Sequence, residues 1–283
     1  MNQQKRVLAI HDISGVGKCS LTVALPIISA TGVETSVLPT AILSTHTGGF
    51  TGFTYRDLTD DIDPIVKHWQ SLHLRFDGIY TGFLGSFQQI ELIGRAFEKL
   101  KSADTLILVD PVMADDGELY KIFTPAFPAE MRKLCQKADI IIPNITETCL
   151  LVGEPYKPGP YTKAYIENLL VKLAALGVPK IVITGVHFDG RELGVACHDA
   201  KTQKTDYAFG ERIEGYFHGT GDVFGSVLMG ALMNGKNLHA ASRIAVDFTV
   251  ASIRRTKAAG TEKRYGVNFE ACLPKLAQTL GLI

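Results

Sequence analysis

The chain has 283 residues, 46% of them hydrophobic, and its 29 Lys and Arg are balanced by 29 Asp and Glu, so no net field draws in nucleic acid or an anionic membrane. The length suits a single α/β domain, residues 1–283, with a large core. Cys19, Cys135, Cys149, Cys197 and Cys272 form no CxxC pair and no metal spacing, MNQQKR leads into only a short apolar run, and no apolar stretch approaches a membrane span; a soluble, cytoplasmic protein is expected.

In chain order, VLAI (7–10) reads as a strand, SGVGKCS (14–20) as a glycine-rich turn, and the apolar residues from Leu21 onward as a helix despite Pro26. The turn is not a phosphate-binding P-loop. Asp12 stands where the first glycine of that motif belongs, and Cys19 replaces the hydroxyl that would bind Mg²⁺. Lys18 is expected to be a solvated side chain. From residue 78 the runs GIY, TLILV, DIII and KIVIT alternate with helical patterns, the signature of parallel βαβ units. The near-continuous apolar character of LILV and IVI suits a sheet covered on both faces. ELGVACH and KTDYAFG predict a more exposed edge hairpin, followed by helices over 220–234 and 238–255. EPYKPGP (154–160) reads as a surface loop.

Ligands of parallel sheets bind beyond the carboxyl ends of the strands. LILV ends in Asp110-Pro111, III ends in Pro143-Asn144 with Glu147 one turn on, and IVI ends in Thr184-Gly185. Each has a plain reading as a turn former, helix cap or strand end. Together they bring oxygen ligands to one sheet edge, suited to hydrated Mg²⁺ with phosphate. In HGTGDVFGSVLMGAL (218–232) the apolar positions after Asp222 trace one stripe of a buried helix. Gly219-Thr220-Gly221 therefore opens a helix, whose unpaired N–H groups make an anion site. Asp222 beside it is either a dipole-compensating residue or a general base.

These motifs resemble the ribokinase-like small-molecule kinases, and among them the pyridoxal (vitamin B6) kinases and the related hydroxymethylpyrimidine kinases. GTGD (219–222) resembles the family's anion hole and catalytic aspartate, while DPVM (110–113), PNITE (143–147) and ITG (183–185) resemble its ATP and Mg²⁺ segments in the same order. TGFLGS (81–86) is similar to the TGYLGS of pyridoxal kinases, and PTAILSTHTGG (39–49) resembles their substrate lid. The resemblance spans residues 7 to about 260.

It implies a three-layer α/β/α fold with a central, mostly parallel sheet, and ATP-dependent phosphorylation of the hydroxymethyl group of pyridoxal, pyridoxine or pyridoxamine. Asp222 would be the base, and the N–H groups of Gly219, Thr220 and Gly221 would hold the transferring phosphoryl group. Asp110, Asn144, Glu147 and Thr184 would position Mg²⁺ and phosphates, with Asp110 and Glu147 nearest the metal. Asp12, His46, Thr47 and Phe83 would touch the ring, Tyr120 would belong to a flap over ATP, and the partners would be ATP, a small heterocyclic alcohol and a second copy in a homodimer. Whether a monovalent cation assists is left open by the resemblance. The opening turn departs from the Q-S-H of one pyridoxal kinase type and resembles the D-x-S-G-x-G of the pyrimidine kinases. Hydroxymethylpyrimidine, or both substrates, therefore stays admissible, with the lid stretch favouring vitamin B6.

Overall fold

The apolar runs are strands of one sheet, and alternate side chains along each strand serve two separate cores. The computed structural model describes residues 4–283. Its elements are β1 (Arg6–Val16), α1 (Leu21–Ala30), β2 (Glu34–Thr45), β3 (Tyr55–Asp57), α2 (Thr59–Ser71), β4 (Gly78–Thr81), α3 (Phe87–Leu100), β5 (Leu106–Val109), β6 (Ala114–Asp115), β7 (Glu118–Leu119) and α4 (Phe127–Cys135). There follow β8 (Ile140–Ile141), α5 (Ile145–Val152), α6 (Lys163–Ala174), β9 (Lys180–Val186), β10 (Glu192–Asp199), β11 (Lys204–Glu211), α7 (Thr220–Met233), α8 (Leu238–Ala258) and α9 (Leu273–Leu280). The nine-stranded sheet has the order β11-β10-β9-β8-β5-β4-β1-β2-β3, and β6-β7 forms a separate small hairpin.

Leu8, Ile10, Ile79, Ile107 and Val109 pack with α2 to α6 on one face. Their neighbours Val7, Ala9, Tyr80 and Leu108 pack with α1, α7, α8 and α9 on the other. This period-2 division is what strands buried on both faces produce, and it makes the three α/β/α layers. From β2 to β9 the sheet neighbours run parallel. The hairpin β10-β11 adds antiparallel strands at one edge and β3 at the other. The expected hairpin is present, but β10 is less exposed than its sequence suggests, since Val195, Ala196 and Cys197 are buried. No helix among the described residues is long and apolar enough to cross a membrane.

The first third of the chain departs most from the expectation. β1 runs on to Val16, so the first three residues of SGVGKCS extend a strand, and the turn that follows is closed by a bridge between Ile13 and Ser20. β2 takes in Pro39 to Thr45, which leaves only His46 onward as loop from the expected lid. Where Pro39 faces His11 the register slips, and Ile13 next faces Ile42. Proline has no N–H for the ladder, and a bulge of this kind bends the strand and re-aims its side chains. The extra residue is on β2, where Thr40 and Ala41 lie opposite Asp12.

Candidate active site

Helix α7 begins from Gly219, whose φ of 75° is left-handed. A side chain there would be strained and would overlap the Lys18 carbonyl oxygen, so the position needs glycine twice over. The first helical bond of α7 is Val223 N–H to Gly219 O at 3.0 Å. The N–H groups of Gly219 to Asp222 therefore stay free among the described residues, as an anion site requires. Gly221 faces open space: an added Cβ would meet nothing nearer than Asp110 Oδ2 at 3.9 Å. Asp110 thus lies beside the helix start, as the strand-end rule expects.

Asp222 Oδ2 accepts the Ser20 N–H at 2.9 Å, and its Oδ1 lies 3.9 Å from His11 Nδ1. Burial raises the Asp222 carboxyl to about 7, with the Ser20 N–H pulling it down and the Asp12 charge pushing it further up. A carboxylate tuned near neutrality is suited to taking a proton from an alcohol. Ser20 holds its N–H on Asp222 through a rare backbone conformation, φ 56° and ψ −131°, of the kind that clusters at functional sites. Its hydroxyl donates to Asp12 Oδ1 at 2.6 Å, while the Ser14 hydroxyl donates to Oδ2 at 3.1 Å. Ser20 therefore ties the opening turn to Asp222 at the far end of the chain. Burial raises the Asp12 carboxyl, against the pull of these two hydroxyls.

On the neighbouring strands, β5, β8 and β9 deliver Asp110, Asn144 and Thr184 side by side, with Asn144 and Thr184 bridged across β8 and β9. Asn144 is a helix cap: its Oδ1 accepts from Glu147 N–H and its Nδ2 donates to Ala114 O, both at 2.8 Å. Glu147 completes the capping box with Oε2 on Asn144 N–H at 2.8 Å, and its Oε1 accepts from Met113 N–H at 3.0 Å. The plain reading thus describes Asn144, whose side chain is spent on aiming Glu147 and anchoring the β6-β7 hairpin. Thr184 does not end its strand as expected, since β9 runs on to Val186 where it pairs with β10; its N–H is bonded to Pro143 O at 2.9 Å. Burial raises both acids well above the usual carboxylate range, and for Asp110 the charges of Glu147 and Asp222 add to it. Two buried carboxylates close enough for the charge of Glu147 to act on Asp110 supply the oxygen donors that a hard divalent cation takes, and such a cation would relieve their repulsion; among the described residues no third His, Cys, Asp or Glu joins them in a metal-holding group.

The ring-binding candidates are brought to the same edge with different freedom. His46 accepts from Gly48 N–H at Nδ1 (3.1 Å) and sits 2.5 Å from Arg264 O at Nε2. Both nitrogens are used within the chain, which leaves only the ring face for a ligand. Thr47 is exposed, and Phe83 is half-buried with its ring 5.8 Å from that of Phe123. The phenol that Phe83 lacks stands close by on another strand: the Tyr55 hydroxyl of β3 lies 3.1 Å from where a Cβ on Gly85 would be. His218 packs between His46 and Tyr216, with ring centroids 5.1 and 4.9 Å away.

Lys18 is not solvated as expected. Its ammonium donates to Asn268 Oδ1 at 2.9 Å and Glu270 Oε2 at 3.0 Å, and its N–H donates to Tyr265 O at 3.0 Å. The lysine of the apparent P-loop is a tether to the C-terminal segment. Tyr120 lies just past the β6-β7 hairpin, with its N–H on Met113 O at 2.9 Å. The hairpin is strapped across the cleft by Tyr216, whose hydroxyl donates to Asp115 Oδ2 at 3.0 Å. His11, Ser20, Tyr55 and Tyr216 were not singled out in the sequence. For Ser20 the adjoining glycine turn was the available signal, whereas the others are placed by tertiary packing.

Comparison with known proteins places the chain in a family. The family model described as phosphomethylpyrimidine kinase matches residues 25–267. A pyridoxal kinase structure from Lactobacillus plantarum is 33% identical, with a TM-score of 0.90 over 98% of each chain. A Bacteroides thetaiotaomicron protein described as a phosphomethylpyrimidine kinase, crystallised with pyridoxal, is 37% identical, with a TM-score of 0.91 over 97% of this chain and 96% of that one. The pyridoxal kinase of Arabidopsis thaliana is 27% identical over 89% of this chain and 82% of its own.

Proposed function

From the premise that the chain belongs to the phosphomethylpyrimidine kinase family, a kinase of ribokinase-like fold, we propose that it transfers the γ-phosphoryl group of ATP to the hydroxymethyl group of pyridoxal, pyridoxine or pyridoxamine, forming the 5′-phosphate in vitamin B6 salvage. The observation that carries the reading is Asp222, in the first turn of a glycine-opened helix beside Asp110, with one oxygen held by Ser20 N–H and the other 3.9 Å from His11 Nδ1. Support for the pyridine substrate comes from the 33% identical pyridoxal kinase and the 37% identical protein that holds pyridoxal. The Asp12-x-Ser14-Gly15 turn favours a second reading, hydroxymethylpyrimidine kinase, alone or as a dual activity.

Asp222 Oδ1 takes the proton of the hydroxymethyl group as its oxygen attacks the γ-phosphorus, and the bond to the β,γ-bridging oxygen breaks with ADP leaving. The N–H groups of Gly219, Thr220 and Gly221 hold the charge that spreads over the equatorial phosphoryl oxygens. Asp110 and Glu147 would hold Mg²⁺, which neutralises charge on the phosphates when bound. Thr184 would contact phosphate, and Asn144 acts through Glu147. The heterocycle would lie between the turn at Asp12 and the loop from His46, against Phe83 and Thr47. We assign the protein to the cytoplasm and expect a homodimer.

The test is steady-state release of ADP with Mg-ATP and pyridoxal. Asp222→Asn should lower kcat by about two to four decades, the range for removal of a general base, while ATP still binds. A near-normal rate removes Asp222 as base.

A further inference from the structure

His11 is a buried side chain of the site with two polar atoms that find no partner among the described residues. It comes from β1, immediately before Asp12 and facing Pro39 where β2 bulges, and it is completely buried. Neither Nδ1 nor Nε2 has a hydrogen-bond partner among the described residues. Burial holds the imidazole neutral, with its pKa lowered to about 3. A buried polar group without a partner costs on the order of 1–3 kcal/mol, and such groups are rare unless they have a role.

The packing around it is tight. Tyr80 meets the ring edge-on with centroids 4.5 Å apart, and a Cβ on Gly82 would overlap the ring. Above it, Gly225 lets α7 descend onto Tyr80, because a Cβ there would overlap the tyrosine hydroxyl. This seating brings Asp222, one turn earlier on α7, over His11, with Nδ1 3.9 Å from Oδ1. Hydrogen bonds of catalytic groups are commonly long in the free enzyme and tighten when reactants bind.

We propose that His11 is a positioning residue for the phosphoryl-transfer reaction, its Nδ1–H backing Oδ1 of Asp222 so that the carboxylate keeps one rotamer toward the substrate alcohol. With Ser20 N–H on Oδ2, the base is then held at both oxygens from below. His11 touches neither substrate nor phosphate. The inference rests on Asp222 being the base, and its test separates the two.

His11→Leu removes both nitrogens at similar volume, and His11→Asn keeps a donor near the Nδ1 position. Leu should lower kcat about ten- to a hundredfold, the scale of an ångström-sized misplacement, with KM for ATP and for pyridoxal within about twofold. Its Tm should be unchanged or higher, because unpartnered buried nitrogens are replaced by apolar atoms. Asn should restore most of kcat. In an Asp222→Asn background, His11→Leu should cost no further rate. If Leu is not accommodated, His11→Ala, which only removes atoms, carries the same kcat and background expectations. Normal kcat in His11→Leu, or kcat and Tm falling together without rescue by Asn, overturns the role of His11. A near-normal rate in Asp222→Asn alone overturns the base instead.

Discussion

Two glycines of the same motif should fail in different ways when each becomes alanine. At Gly219, φ is 75° and an added methyl would overlap the Lys18 carbonyl oxygen while standing 3.2 Å from the Lys18 carbonyl carbon. The left-handed backbone costs about 1–2 kcal/mol for a residue with a Cβ, and overpacking adds about 1–3 kcal/mol. Together these give about 2–5 kcal/mol, or roughly 5–15 °C in Tm for a chain of this size. Relieving the overlap moves Lys18, two residues from the N–H that holds Asp222. A shift of about 1 Å there costs about a hundredfold in kcat. At Gly221 an added Cβ meets only Asp110 Oδ2, at 3.9 Å. Alanine is the better helix former by about 1 kcal/mol, so Gly221→Ala should hold or raise Tm. Its methyl nevertheless stands where the phosphoryl group approaches the backbone, and turnover should fall about tenfold or more, as for loss of an oxyanion contact. Differential scanning fluorimetry and an ADP-release assay on the pair decide the matter. Wild-type kcat in Gly221→Ala, or an unchanged Tm in Gly219→Ala, would refute the reasoning.

Because burial raises the Asp222 carboxyl to about 7 and the base must be deprotonated, kcat/KM should fall about tenfold per unit below that pH and level off above it; a profile flat from pH 5 to 8 contradicts this. Lys18→Ala should leave KM for ATP within about twofold and lower stability by about 0.5–1.5 kcal/mol, since the lysine makes partly exposed hydrogen bonds at the C-terminal segment. Loss of ATP use in that variant would restore the P-loop reading. Glu147→Gln should raise the Mg²⁺ concentration needed for half-maximal rate about tenfold or more, measured by Mg²⁺ titration at saturating ATP; an unchanged requirement removes Glu147 from the metal site.

The parts of the site that were legible in the sequence are those set by local chemistry. GTGD announces a helix N-terminus because glycines there are dictated by backbone approach, and the neighbouring placement of Asp110, Asn144 and Thr184 follows from a topology visible in the apolar runs. Asn144 shows the limit of that reasoning, because N-x-x-E spells a capping box as well as a ligand set, and only the hydrogen bonds show its Oδ1 on the cap and its Nδ2 on Ala114 O. β2 was hidden by Pro39 and its Ser and Thr residues, and the strand survives because the proline falls at a register slip. α2 was obscured in the same way by an acid-rich start and Pro64. The partners of Asp222 and Lys18 lie about 200 to 250 residues away in sequence, a distance no local pattern spans. The lid motif points to His46 as a ligand contact but not to how it can act, because only the structure shows its nitrogens bonded to Gly48 and Arg264 and its ring face left over.

SGVGKCS is therefore the turn beneath Asp222, with the Ser20 N–H on its carboxylate and Lys18 holding the turn to the C-terminal segment. The measurement that bears most directly on the proposed activity is a competition. With Mg-ATP, the initial rates of ADP release and the phosphorylated products are compared for pyridoxal, pyridoxine, pyridoxamine and hydroxymethylpyrimidine. The account predicts a 5′-phosphate from at least one B6 vitamer, one ADP per product, at a kcat/KM above that for the pyrimidine. Equal or better use of the pyrimidine would contradict it.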